Sequence, residues 1–100
     1  MFIVGTITTM PVTLDPAKSE RNVAERGIPL SLANDFDWSD AWVAEDARRD
    51  YGERRFQAIG FIGERLHVLV FTPRDRDVHV ISLRRANERE RNRYAAQSKP

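Results

Sequence analysis

Apolar and polar positions alternate most clearly in the second half of the chain, where three extended runs follow one another with short breaks. Residues 54–62 and 65–72 flank a Gly63-Glu64 pair, the signature of a tight hairpin turn. A third run covers 78–84 after a loop at 73–77. In the middle run, Leu66, Val68 and Val70 alternate with His67, Leu69 and Phe71, so both faces are apolar. That pattern suits an interior strand covered on one side by helices. Three consecutive strands joined by short turns predict an antiparallel meander, and residues 41–44 read as a further short strand.

Helical signals bracket the meander. Asp15 can cap free backbone N–H groups, and Pro16 fits the first helical position. This predicts a helix over 16–26 that stops at Gly27, with Pro29 just beyond. A second short helix is predicted over 32–37, capped by Ser31, with Leu32, Ala33 and Phe36 on one face. Asn87 and Glu90 match a capping box and open a last helix over 88–97. It is nearly all charged, with Tyr94, Ala95 and Ala96 to pack, so it lies on the surface or has a partner waiting. Residues 2–14 are rich in Thr, Ile and Val and favour extended chain, interrupted by Pro11. Residues 48–53 are charged, carry Gly52, and read as a loop. The expected class is α+β: an antiparallel meander of three to four strands, two N-terminal helices and a C-terminal helix.

A chain of 100 residues is one domain on ordinary size grounds, so residues 1–100 are expected to form a single unit with a modest core. With 41% hydrophobic and 31% charged residues the composition is globular. There is no cysteine, which excludes disulfides and thiolate metal sites. The apolar runs fall far short of the roughly 20 residues of a membrane helix, and the start is a poor signal peptide, so the cytoplasm is expected. The net charge of +1 hides a polarity. Residues 1–50 hold five Lys/Arg against nine Asp/Glu, and residues 51–100 hold eleven against six. Five arginines lie between Arg84 and Arg93. Such a half either faces a polyanion or is a solvated helix rich in Arg and Glu.

Several residues are candidates for chemistry. Arg84 and Arg85 sit where the third meander strand meets the last helix. Strand alternation gives Arg84 the face of Val78, Val80 and Ser82 and turns Arg85 the other way. An arginine beside a helix N-terminus suits phosphate, whose oxygens its planar fork binds in pairs; the alternative is a pair with an acid such as Glu53 or Glu88. Arg54 and Arg55 open the first meander strand. If one shares a face with Arg84, two guanidiniums would flank a scissile phosphate and stabilise the transition state of 2′-hydroxyl attack. Arginine is a poor base. His67 and His79 alternate with apolar neighbours, which fits a packed core residue more often than a catalyst. Glu53, Glu88 and Glu90 are the acids nearest the arginines. No tight metal-ligand spacing, phosphate loop or nucleophile elbow occurs, and no paired aromatics of a base-stacking RNA module are present.

The order of these pieces resembles the BrnT family of type II toxins. The matching stretches are Leu14-Asp15-Pro16-Ala17-Lys18 with Asn22, Gly27-Ile28-Pro29-Leu30-Ser31, and Gly52-Glu53-Arg54-Arg55-Phe56 with Gly60. Residues 66–72 follow, then Ile81-Ser82-Leu83-Arg84-Arg85-Ala86 with Glu90-Arg91 and Tyr94. The likeness covers about residues 12–95 and leaves 1–10 as an N-terminal extension. Two departures stand out: Leu14 replaces an aromatic, and Glu25-Arg26-Gly27 replaces Lys-His-Gly. The resemblance implies a RelE-like fold and a metal-independent endoribonuclease, without cofactor, that inhibits translation. It also implies neutralisation by a BrnA-like ribbon-helix-helix antitoxin in a heterotetramer that meets DNA only through the antitoxin. By position it points to Lys18, Arg55, Arg84, Glu90, Arg91 and Tyr94. Arg55, Arg84, Glu53 and His67 are the catalytic candidates, and Lys18, Arg54, Arg85, Arg89 and Arg91 the RNA-binding ones. Tyr94 is expected to pack the last helix onto the domain. Two other readings are a decayed toxin kept for antitoxin binding and operon control, and a plain DNA-binding domain.

Overall fold

The computed structural model describes residues 10–47 and 52–98. In chain order these form β1 (Val12–Thr13), α1 (Pro16–Arg26), a 3-10 helix (Leu30–Asp35), β2 (Trp42–Asp46), β3 (Arg55–Ile62), β4 (Arg65–Pro73), β5 (Val78–Arg85) and α2 (Glu88–Ser98). The expected α+β class holds. The strands form one five-stranded sheet in the order β1-β5-β4-β3-β2. It is therefore larger than the expected three to four strands, and it is mixed rather than antiparallel, because β1 runs parallel to β5. The extra strand is only Val12–Thr13, too short to show a period. Its pairing is nonlocal: Val78 N–H donates to Pro11 O at 3.0 Å. Of the extended run expected over 2–14, residues 2–9 lie outside the described residues, as do 48–51 of the expected loop.

The first helix has the expected bounds. Asp15 Oδ1 accepts from Ala17 N at 2.9 Å, and Gly27 ends the helix at φ 83°, where a side chain would be strained. What holds α1 down is a polar clip. The buried Asn22 donates from Nδ2 to Ile28 O and Leu83 O, both at 2.8 Å. The second helix departs from expectation. It is a 3-10 helix, it starts at Leu30, and Ser31 does not cap it. Three residues per turn aligns Leu30, Ala33 and the following Phe36, all buried, onto one line facing the sheet. The expected strand at 41–44 becomes Trp42–Asp46, carried further by pairing of Glu45 with Phe56 and Asp46 with Arg55.

The sheet separates two apolar clusters. On one face, Leu30, Ala33 and Phe36 meet Ala58, Leu69, Phe71, Val80 and Leu83. Each fully buried side chain of this size contributes roughly 1.5–3 kcal/mol. Gly60 lies beneath this layer: a Cβ there would come within 2.7 Å of the Phe36 ring. The other face holds a smaller cluster of Ile59, Leu66 and Val68 under Ala86 and Tyr94, flanked by Trp42. Tyr94 anchors α2, as expected, by donating its hydroxyl to Asp40 O at 2.7 Å and meeting Phe61 edge-on.

One irregularity sets which face β5 residues occupy. Val70 pairs with Ser82, but Phe71 pairs with Val80, so Ile81 is an extra residue in the strand. The expectation that Arg84 shares a face with Val78 and Val80 is corrected by this bulge. Arg84 lies across from Val68, on the face that α2 covers, together with Ser82; Val78 and Val80 point into the opposite cluster.

Candidate functional site

Cross-strand partners share a face, so the register orders the α2 side of the sheet into rows. The row beneath α2 runs Trp42, Ile59, Val68, Arg84. The next runs Ala44, Gln57, Val70, Ser82. The third begins Asp46, Arg55; the β3–β4 register carried one step further sets Arg55 beside Thr72, and Thr72 pairs with His79, which pairs with Thr13. Gln57, Val70, Ser82 and His79 are half-buried, Ala44 and Thr13 exposed and Thr72 buried, so the two outer rows, apart from Thr72, present a largely polar sheet face to solvent.

Arg55 and Arg84 therefore share this face. They are not neighbours: four residues along a strand and two strands across separate their Cα atoms by roughly 16 Å. Arg55, its side chain 25% exposed, has its Nε 3.8 Å from a Glu53 carboxylate oxygen. Arg84 is held more tightly. Its two terminal nitrogens donate to the two oxygens of Glu90, at 2.8 and 2.6 Å. Glu90 also completes the expected capping box, accepting from Asn87 N at 2.9 Å while Asn87 Oδ1 accepts from Glu90 N at 2.8 Å. The Arg84 guanidinium, followed by the Asn87 N–H, keeps the Glu90 carboxyl below its usual range against the opposing effect of burial. Glu90 in turn raises the pKa of Arg84.

The other candidates divide between the two sides. Arg89 and Arg91 are exposed on α2, and Arg91 donates to Ala86 O at 3.0 Å. Lys18 is exposed on α1, in the opposite layer. Arg85 pairs across with His67, and both belong to the α1 side, beyond Gly60. His67 is buried, its Nδ1 bonded to Arg65 O at 2.9 Å, and burial, reinforced by Arg85 and Arg65, pushes its pKa down. Arg54 forms a two-point ion pair with Glu45 and lies 5.2 Å above the Phe56 ring. Among the described residues no group of three His, Cys, Asp or Glu side chains gathers as a metal site.

Sequence reasoning ranked His79 with the packed histidines. Its Nδ1 instead lies 2.8 Å from Thr13 Oγ1, at the edge of the polar face. The signal that could have found it, the register with β1, is invisible without the fold.

A small α+β scaffold with arginines on a polar sheet face suits a polyanionic ligand. A family model described as "Ribonuclease toxin, BrnT, of type II toxin-antitoxin system" matches residues 14–90, and the chain belongs to this family. No individual curated protein matches it. Among the described residues no helix is long and apolar enough to cross a membrane.

Proposed function

We propose that this chain is a metal-independent endoribonuclease toxin of RelE-like fold, a single domain over 1–100 with residues 1–10 as an extension. It works in the cytoplasm and inhibits translation by cleaving RNA on the polar sheet face. The observation that carries this reading is that Arg55 and Arg84 share that face, at its two ends. At roughly 16 Å between Cα atoms they do not flank one phosphate. They suit different phosphates of one strand, with Arg55 stabilising charge at the cleaved bond and Arg84 holding the strand. Arg89 and Arg91 extend positive charge along α2. A BrnA-like ribbon-helix-helix antitoxin neutralises the toxin in a heterotetramer, and DNA is met only through it.

The test is direct. Purified protein cleaves RNA in the presence of chelator, and expression without a partner arrests growth. Arg55→Ala lowers the cleavage rate about 100–1000-fold, the usual cost of losing one transition-state donor, with an unchanged melting temperature. Intact RNA with wild-type protein defeats the reading.

One observation favours a second reading, a decayed toxin that only binds antitoxin: Arg84 is already engaged by Glu90. That reading expects harmless expression together with tight antitoxin binding.

A further inference from the structure

We propose that His79 is the proton acceptor of the cleavage step, an inference that rests on the ribonuclease reading above. Three observations carry it. The register row sets His79 on the same face as Arg55, two strands away, with Thr72 between them. The Thr72 hydroxyl donates to Arg54 O at 2.7 Å, so Thr72 is floor rather than ligand. Two strand spacings are about 10 Å, a gap that an arginine and an imidazole reach across to meet at one phosphodiester. Finally, Thr13 Oγ1 engages Nδ1, and Nε2 has no hydrogen-bond partner among the described residues.

Thr13 matters because its oxygen can accept from an Nδ1–H. That tautomer leaves the Nε2 lone pair for a substrate proton, and the same hydrogen bond persists in the imidazolium, where both nitrogens donate. Among the described residues, the charged groups that share this row are Arg55 and Asp46, with Glu53 against Arg55, and β1 and β4 bring Thr13 and Thr72 to His79. His67, the other histidine, is buried on the opposite face and cannot serve.

The 2′-hydroxyl proton passes to Nε2 of His79 while the 2′-oxygen forms a bond to phosphorus. The bond from phosphorus to the 5′-oxygen breaks, and that oxygen takes a proton from water. The imidazolium then returns its proton to the hydroxide left behind. The products are a 2′,3′-cyclic phosphate and a 5′-hydroxyl, and Arg55 faces the charge that builds on the phosphoryl oxygens.

The experiment compares wild type, His79→Gln and Thr13→Val on RNA and on a 2′-deoxy analogue that cannot be cleaved. His79→Gln is expected to lower kcat about 100- to 10,000-fold, the range for loss of a general base, and to abolish the acid limb of the pH–rate profile. It binds the analogue with a Kd within about threefold of wild type, a difference under about 0.7 kcal/mol. Thr13→Val, which keeps the imidazole, retains the acid limb. Active wild-type protein with a His79→Gln variant of equal rate and profile overturns the inference and leaves the ribonuclease standing. Equal loss of activity and melting temperature in both variants shows a structural histidine and overturns it too. Wild-type protein that cleaves no RNA sinks both readings together.

Discussion

The two faces of the sheet are built on different principles. The α1 face is closed by an apolar layer in which Phe36, Leu30, Leu69, Val80 and Leu83 are fully buried. The α2 face is closed only in the row under the helix, and its two outer rows are mostly polar and, Thr72 apart, half-buried or exposed. The same five strands thus carry a core on one side and a platform on the other. A small domain buries limited area, so concentrating burial on one face leaves the second free for binding.

The largest expected effect breaks the closed face. Phe36→Ala removes a ring that packs edge-on against Trp38 and fills the space above Gly60. It should cost about 3–5 kcal/mol of unfolding free energy in denaturant titrations. Gln57→Ala, on the platform, should stay within about 0.5 kcal/mol. Equal losses at the two positions would erase the contrast between the faces.

A middle effect probes the seam where α2 crosses the platform. Glu90→Gln weakens the cap and leaves Arg84, its side chain 30% exposed, without its counter-charge. The expected loss at neutral pH is about 1–2 kcal/mol, allowing for solvent screening. Because folding depresses the Glu90 pKa, its contribution is present above the unfolded carboxyl value and fades as pH falls through the folded one. Wild type and variant should therefore converge in acid, and a gap that persists there would mean the pair is not the cause.

The smallest effect concerns the buried histidine of the closed face. His67 stays neutral when folded because its pKa is pushed down. Unfolded chains take up that proton first, so stability falls as pH drops below about 6.5, at no more than about 1.4 kcal/mol per pH unit. His67→Leu should flatten that part of the melting-temperature profile. An unchanged slope would show that His67 is not its source.

What the sequence made legible was local. The Asp15 cap, the Gly27 stop, the Gly63-Glu64 turn and the Asn87–Glu90 box all depend on residues within a few positions, and all are present. The misses are long-range. The β1–β5 pair joins segments some 65 residues apart, and the 3-10 helix answers to the core rather than to a cap. The site was half legible for the same reason. Residue type singled out Arg55 and Arg84, but the partner of Arg84 is Glu90, and not Glu53 or Glu88, because the strand end and the first turn of α2 meet only in the fold. His67 and His79 look alike in their apolar surroundings; only their opposite faces separate them.

The extra residue in β5 has a consequence for length changes in this strand. Five positions apart, His79 and Arg84 would fall on opposite sides of the sheet by plain odd–even counting; the bulge at Ile81 sets both on the platform. Ile81 thus absorbs the odd position, and the residues on either side of it keep a common phase. Exchanging it for Val or Leu should be mild. Deleting it would leave His79 and Arg84 four positions apart, so that an unbulged strand would still hold both on the platform.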